Sequence, residues 1–403
     1  MSQLTAVVHD AAEVATVEDG VLVTYHDAAV AIEDDRVAAV GPTTTVVRDY
    51  PPENAVHEID ATGRAVIPGF VDPHTHAVFA GDRSDEFEAK LRGKTYQEIA
   101  AEGGGILRTV RATREASEDE LIENLTAHLD AMLAYGTTTA EVKSGYGLDV
   151  ETERRLLEAI ERAGANHPVD VVATFMGAHA VPDGRDPDDY VDEVVDEQLP
   201  TVADQGVARF CDVFCEAGAF TVEQSRRVLE AGIEHGLAPK IHAEEFERLG
   251  GAQLAAELGA TSADHLLRAT DEDVAALVEA DVSPVLLPGT AFVLGAEYAD
   301  ARAFLEAGAP VAIATDFNPN CHSRSMAFAV ALACVEMRMT PAEALVAATA
   351  NAANALDIDD GTGTLQPGTP ADLVVLDAPS HTYVPYAFGE NHVVTTLKGG
   401  EPV

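Results

Sequence analysis

Residues 65–76 read AVIPGFVDPHTH, an apolar run that ends in a proline turn and two histidines two positions apart. Seven further short apolar runs follow the same plan. They are residues 137–147 (TTTAEVKSGYG), 169–180 (VDVVATFMGAHA), 209–220 (RFCDVFCEAGAF), 238–246 (APKIHAEEF), 261–267 (TSADHLL), 282–292 (VSPVLLPGTAF) and 310–319 (PVAIATDFNP). Amphipathic helical stretches separate them, the pattern of βαβ units and a parallel sheet. Helix starts are written at Ser117 and Thr221 as capping boxes, and at Thr340-Pro341-Ala-Glu343 before a long Ala-rich helix. Leu121, Ile122, Leu125, Leu129, Met132 and Leu133 then recur at helical spacing up to Gly136, a C′ stop. Eight strand–helix repeats predict an α/β fold of the (β/α)8 TIM-barrel type. An open doubly wound sheet would carry a Gly-rich dinucleotide fingerprint, and Gly103-Gly104-Gly105 lacks its spacing and a preceding strand.

The chain ends read differently. Residues 20–26, 29–41 and 55–60 are short β-type runs with no helix between them, and residues 361–403 return to β character. These ends predict a small β-sandwich domain of residues 1–65 and 361–403 around a barrel of residues 66–360.

Bulk numbers narrow the functional classes. Asp and Glu number 69 against 25 Lys and Arg, a formal charge of −44, and only five of the cations are lysine. Such a surface repels nucleic acid and anionic membrane. The acidic residues are spread along the whole chain, which points to a salt-adapted halophile surface rather than to an acidic tail for a basic partner. No apolar run reaches the roughly 20 residues of a spanning helix. With no secretory signal and four scattered cysteines, the chain reads as cytoplasmic.

Histidine placement carries the chemistry. His9, His26, His57, His128, His167, His235, His381 and His392 sit in polar or helical surroundings and read as surface groups. Others end predicted strands, the barrel face where active sites form. His74 and His76 are about 6.6 Å apart along a strand and point to one side. His242 ends the fifth run, His265 the sixth, and Asp316 the eighth. Several neutral imidazoles and one carboxylate on one rim suit Zn²⁺ or iron with a position left for water. The third and fourth runs end in His179 and Glu216 rather than an obvious bridging carboxylate, and Lys143 lies within the second, so one metal is expected.

Residues 68–87 (PGFVDPHTHAVFAGDRSDEF), 93–114 (GKTYQEIAAEGGGILRTVRATR) and 141–148 (EVKSGYGL) resemble the imidazolonepropionase family, amidohydrolase-superfamily enzymes of histidine breakdown. The likeness covers nearly the whole chain. Its closing segments, TPAEAL, NAANAL and GTLQPGTPADLVVLD, are shared across the superfamily, whereas TYQEIAAEGGGI and EVKSGYG are more specific. The resemblance implies that His74, His76, His242 and Asp316 hold one zinc or iron ion per subunit. It implies that Glu245 bonds the substrate ring and moves protons, and that His265 orients the attacking water. Arg83, Tyr96, Tyr146 and His179 would hold the substrate, with Asn318, Asn320 and Cys321 completing the pocket. Where the family usually reads Asp-x-Asn-Pro-Gly, this chain has Asn320 in place of the glycine, which puts a backbone contact with the substrate in question. The implied reaction is hydrolysis of 4-imidazolone-5-propanoate to N-formimidoyl-L-glutamate, and the implied assembly is a homodimer.

Ring-amide cleavage needs a strong nucleophile and an electrophile, both available at a metal. Asp316 and Glu245 are placed to take and deliver protons, and Arg83 is the candidate partner for an anionic tail on a strongly acidic protein. A deaminase or another cyclic amidase acting on a small nitrogen ring would use the same metal set. A non-catalytic acidic barrel that binds a partner has no need of a proton-transfer pair.

Overall fold

The computed structural model describes residues 2–94, 98–99 and 102–403. Eight parallel strands follow one another in chain order: Phe70–Asp72, Thr137–Lys143, Asp170–Ala178, Phe210–Cys215, Ala238–Ala243, Ser262–His265, Ser283–Leu286 and Ala312–Ile313. The ring is completed between the last strand and the first by a parallel bridge of Thr75 to Phe317. There the Asp316 amide donates to the His74 carbonyl (3.2 Å) and the His76 amide to the Phe317 carbonyl (2.9 Å). The expected barrel is therefore present, and its eight strands match the eight apolar runs.

Strand alternation sorts each run into two faces. Ala140, Val142, Cys211, Val213, Ile241 and Ala263 join the large apolar cluster shared with the surrounding helices. The alternate residues face inward and form three layers along the axis. Val71, Phe210, Val285 and Ala312 make an apolar floor. Two residues further along come Glu141, Asp212 and Lys240, with Lys143 and Asp264, all fully buried. The histidine rim lies above this layer, His242 two residues past Lys240 and His265 one past Asp264.

Helix Glu118–Ala134 buries Leu121, Leu125, Leu129 and Met132, begins on the Ser117 side chain and stops before Gly136, whose φ of 88° only glycine adopts freely. The caps at Thr221 and Thr340 are complete boxes, whereas Ser117 supplies only the serine half. The helix expected as one long segment after Thr340 is two, Pro341–Ala347 and Ala350–Asn354, broken where Thr349 leaves helical geometry at φ −133°, ψ −94°.

The chain ends form a second, mixed sheet in the order Glu401–Pro402, Val393–Lys398, Leu373–Leu376, Ala65–Pro68, Leu4–Glu18, Val21–Glu33 and Arg36–Pro42, with His57–Asp60 beside Leu4–Glu18. It folds over one apolar cluster in which Val8, Val30 and Ile32 meet Leu373, Val375 and Leu397. Two local expectations differ. The run 65–76 is two strands, and the chain crosses between the sheets at Gly69, which passes so close to the Thr138 side chain that a Cβ there would collide. Ala65–Pro68 therefore pairs within the end sheet and the barrel strand starts at Phe70. The N-terminal region also contains a helix, Thr43–Asp49, which buries Val46 over the sheet.

Candidate active site

Four strand ends deliver the rim. His74 and His76 leave the first strand just past Pro73, His242 sits on the fifth, His265 ends the sixth and Asp316 follows the eighth. All five are buried. His265 and Asp316 hold left-handed backbone at φ 77° and 50°, and Glu244 at 57°. Such strained positions cluster where a side chain must be aimed.

The cluster passes a direct test for a cation. His74 Nε2 and His76 Nε2 lie 3.6 and 3.7 Å from one carboxylate oxygen of Asp316, and His76 Nε2 lies 3.3 Å from His242 Nε2. Donors about 2.1 Å from a tetrahedrally bound ion stand about 3.4 Å apart, so these spacings are those of ligands around a shared centre. His74 Nε2 is buried with no hydrogen-bond partner among the described residues, while its Nδ1 donates to Asp264 at 2.6 Å. His242 Nδ1 likewise faces Asp212 at 3.1 Å. Burial and neighbouring positive groups hold His74, His76 and His265 well below the ordinary imidazole range, so their lone pairs stay free. Burial pushes the Asp316 carboxyl up to about 6 against the pull of a hydrogen bond from the Thr290 hydroxyl. The donors fit a divalent metal ion. His265 converges with His74 and His242 as closely as Asp316 does with the HxH pair, so the rim holds five potential donors, one more than the four expected as ligands.

Beside the rim lies a cavity of about 480 Å³ lined by His76, Arg83, Tyr146, His179, Glu245 and Asn320, among others. His179 stacks on His76 with ring centroids 4.7 Å apart, and its Nδ1 faces the Gly145 carbonyl at 2.9 Å. Gly145 makes that approach possible: at φ 92°, a Cβ there would come within 2.8 Å of His179 Nδ1. Tyr146 packs against both rings. Glu245 carboxyl is driven well above its ordinary value by burial and by the carboxylates of Asp316 and Glu216, and it lies 3.8 Å from His265 Nε2. Glu216 fixes the loop that carries it, accepting the backbone amides of Glu245, Phe246 and Glu247 at 3.1, 2.8 and 3.2 Å.

Arg83 lines the cavity with its Nε bonded to Glu86 at 2.8 Å. Asn318 and Asn320 line it too, and the Asn318 side chain caps its own loop by accepting the amides of Asn320 (2.7 Å) and Cys321 (3.0 Å). Asn320 is not in the left-handed region, so the substitution for glycine carries no backbone strain. Its side chain instead accepts from Lys90 at 2.7 Å. Cys321 is buried with its thiol on the Thr315 carbonyl and borders a neighbouring cavity, not this one. Tyr96 lies outside the described residues. Sequence reasoning missed Asp212, Asp264, Lys240, Glu141 and Thr290; the first four are charged residues inside otherwise apolar strands, which marks them as unusual without showing their partners, and Thr290, on helix Pro288–Leu294, carried no signal. It also misplaced His128, which stacks on Phe79, bonds the Ala77 carbonyl at 2.8 Å and is lowered to about 4 by burial.

A barrel carrying an HxH pair, two further histidines and an aspartate on its C-terminal rim defines an amidohydrolase. The Amidohydrolase family model matches residues 65–403, and the Imidazolonepropionase-like composite domain, bacteria, matches residues 28–52. Imidazolonepropionase of Haloarcula marismortui is 67% identical over 100% of this chain and 97% of its own length, and that of Geobacillus kaustophilus is 52% identical over 92% and 89%. The chain belongs to the imidazolonepropionase family. Solved structures agree on the fold: triazine hydrolase from Arthrobacter aurescens superposes with a TM-score of 0.78 at 18% identity, covering 99% of this chain and 94% of that one. A zinc-bound adenosine deaminase from Xanthomonas campestris gives 0.74 at 19%, covering 99% and 93%.

Proposed function

We propose that the rim and its cavity open the ring amide of 4-imidazolone-5-propanoate by adding water, releasing N-formimidoyl-L-glutamate, the reaction of the family to which the chain belongs. The observation that carries the assignment to this site is the approach of the His74 and His76 Nε2 atoms to one Asp316 oxygen, with His242 Nε2 beside His76 and His74 converging with His242 and His265. We assign these four as ligands of a single zinc or iron ion per subunit. A metal held there supplies a water with a pKa near 7 and an electrophile for the carbonyl oxygen.

The remaining steps belong to side chains. The Asp316 carboxylate, held by the Thr290 hydroxyl at the mouth of the rim, takes the proton of the attacking water. His265, neutral because it is buried, orients that water and then stabilises the charge that develops on the carbonyl oxygen. Glu245, whose carboxyl burial and the neighbouring Asp316 and Glu216 push upward, bonds the ring and delivers a proton to the departing ring nitrogen. Arg83 meets the propionate carboxylate with the N–H groups that Glu86 leaves free. Tyr146 and His179 form the wall against which the flat ring lies, and Asn318 and Asn320 close its other side, with Cys321 set behind them. Tyr96 is kept as a further substrate contact on the family pattern alone. We place the catalytic unit in the barrel expected over residues 66–360, which begins at Phe70, with the composite domain of 1–65 and 361–403, extended by the strand Ala65–Pro68, as its support, in a cytoplasmic homodimer without nucleic-acid or membrane partners.

The reading is tested by mixing the metal-loaded protein with imidazolone propanoate in concentrated KCl and analysing the products. Loss of the substrate's ultraviolet absorbance with formation of N-formimidoyl-L-glutamate and no free ammonia is expected. Ammonia release would instead make the protein a deaminase of a related nitrogen ring.

A further inference from the structure

The barrel interior beneath the rim is charged where most barrels are filled by aliphatic side chains. Lys143 Nζ lies 2.6 Å from Asp212, 2.8 Å from Glu141 and 3.6 Å from Asp264. Lys240 Nζ donates to Glu141 at 2.8 Å and to the Pro73 carbonyl at 3.1 Å, one residue before His74. All five ionisable side chains are fully buried. Of the five lysines in the chain, two are spent here.

Burying five such groups is costly, and apolar residues of similar volume would serve the fold as well or better. Their partners explain why they are placed so. Asp264 spends one oxygen on His74 Nδ1 and the other on the Ser262 hydroxyl (2.6 Å); Asp212 spends one on His242 Nδ1 and the other on Lys143. Each carboxylate thus accepts from the outer nitrogen of a rim histidine, which leaves the inner nitrogen as a lone pair. Lys143 stands between the two carboxylates, close enough to both to fix their separation. Burial alone would lower its ammonium, but Asp212, Glu141 and Asp264 outweigh that and hold it above its ordinary range.

We propose that Lys143, Asp212 and Asp264 form a positioning bridge that locks His74 and His242 as Nδ1–H tautomers, aims both Nε2 atoms at the metal position, and occupies with an ammonium the space between carboxylates that a second cation would take. Glu141 and Lys240 complete the bridge by anchoring Lys143 from below and Pro73 from the side. The inference rests on the metal reading given above, and it makes a claim that reading does not: affinity for the ion depends on groups that never touch it.

Asp212→Asn and Asp264→Asn are isosteric and leave every proposed ligand in place. The metal-free unaltered chain and both variants are titrated with Co²⁺ and Zn²⁺ against a competing chelator in concentrated KCl, with the Co²⁺ visible spectrum recorded and urea unfolding of the metal-free proteins measured alongside. We expect one ion per unaltered chain, a 10- to 100-fold weaker dissociation constant in each variant, and an altered cobalt spectrum, in metal-free variants that still unfold cooperatively though at lower urea, because a buried ion pair has lost its charge balance. Affinities within twofold of the unaltered chain in both variants would overturn the bridge while leaving the metal site standing. Affinity losses found only in variants that no longer unfold cooperatively would reduce it to a structural role. No uptake by the unaltered chain would remove the metal reading and the bridge together.

Discussion

At the scale of single residues, the site separates holding an ion from moving protons. The proposed mechanism puts Glu245 in the second group: its carboxyl is buried, faces Asp316 and Glu216, and is no part of the converging donor set. Glu245→Gln is therefore expected to lower kcat by about 10²- to 10⁴-fold, the usual contribution of a positioned acid–base group, with metal content unchanged by elemental analysis. His242→Ala should instead lose both the ion and the activity. That these groups gather on one rim was legible beforehand, because His74, His76, His242, His265 and Asp316 each close an apolar run. The carboxylates one layer below were not legible. Asp212 and Asp264 sit inside runs that otherwise read as core strand, and their partners come from strands distant in sequence. Lys90, which meets Asn320 across some 230 residues, was hidden for the same reason.

At the scale of elements, the rim's accuracy depends on caps and close approaches. Asp273 closes the capping box of helix Asp271–Glu279 and also receives Arg248 at 2.6 and 2.9 Å and Gln253 at 2.9 Å. Burial alone would raise its carboxyl, but these bonds outweigh it and hold Asp273 below the ordinary range. A depressed folded-state value stabilises above the unfolded value of about 3.9 and fades as pH falls through the folded one. Asp273→Asn should thus cost about 1–2 kcal/mol at pH 7, with the gap in unfolding midpoint narrowing below about pH 4. Gly145→Ala should act on the site instead: the new Cβ at positive φ presses on His179, so KM is expected to rise more than kcat falls. Element boundaries were less legible than element types. Gly69 alone marks the passage between sheets in AVIPGFVDPHTH, and its meaning depends on Thr138, which comes from a strand distant in sequence. The helix Thr43–Asp49 is written in threonine and valine, which favour strands in isolation, and forms because Val46 finds a buried place over the end sheet.

At the scale of the whole molecule, the charge of −44 is carried mainly outside, because the buried cations Lys143 and Lys240 are offset by the carboxylates of Glu141, Asp212 and Asp264 sealed beside them. Self-repulsion of this kind falls as the screening length drops to about 3 Å near 1 M salt. The relatives from Haloarcula marismortui and Halobacterium salinarum share this chain at 67% and 66% identity. The unfolding temperature should rise steeply with KCl up to molar concentrations, and a flat response in scanning calorimetry would reject a salt-adapted surface. The sequence showed this property openly, as bulk charge needs no fold to be counted. The account as a whole stands on one ion joining the reach of three histidines and an aspartate to a ring-opening reaction. Its most direct measurement is titration of the metal-free protein with Zn²⁺ in high salt while turnover of imidazolone propanoate is followed in the same samples. Activity rising in proportion to bound metal and levelling at one ion per chain is the predicted result; fully loaded protein that leaves the substrate intact would contradict it.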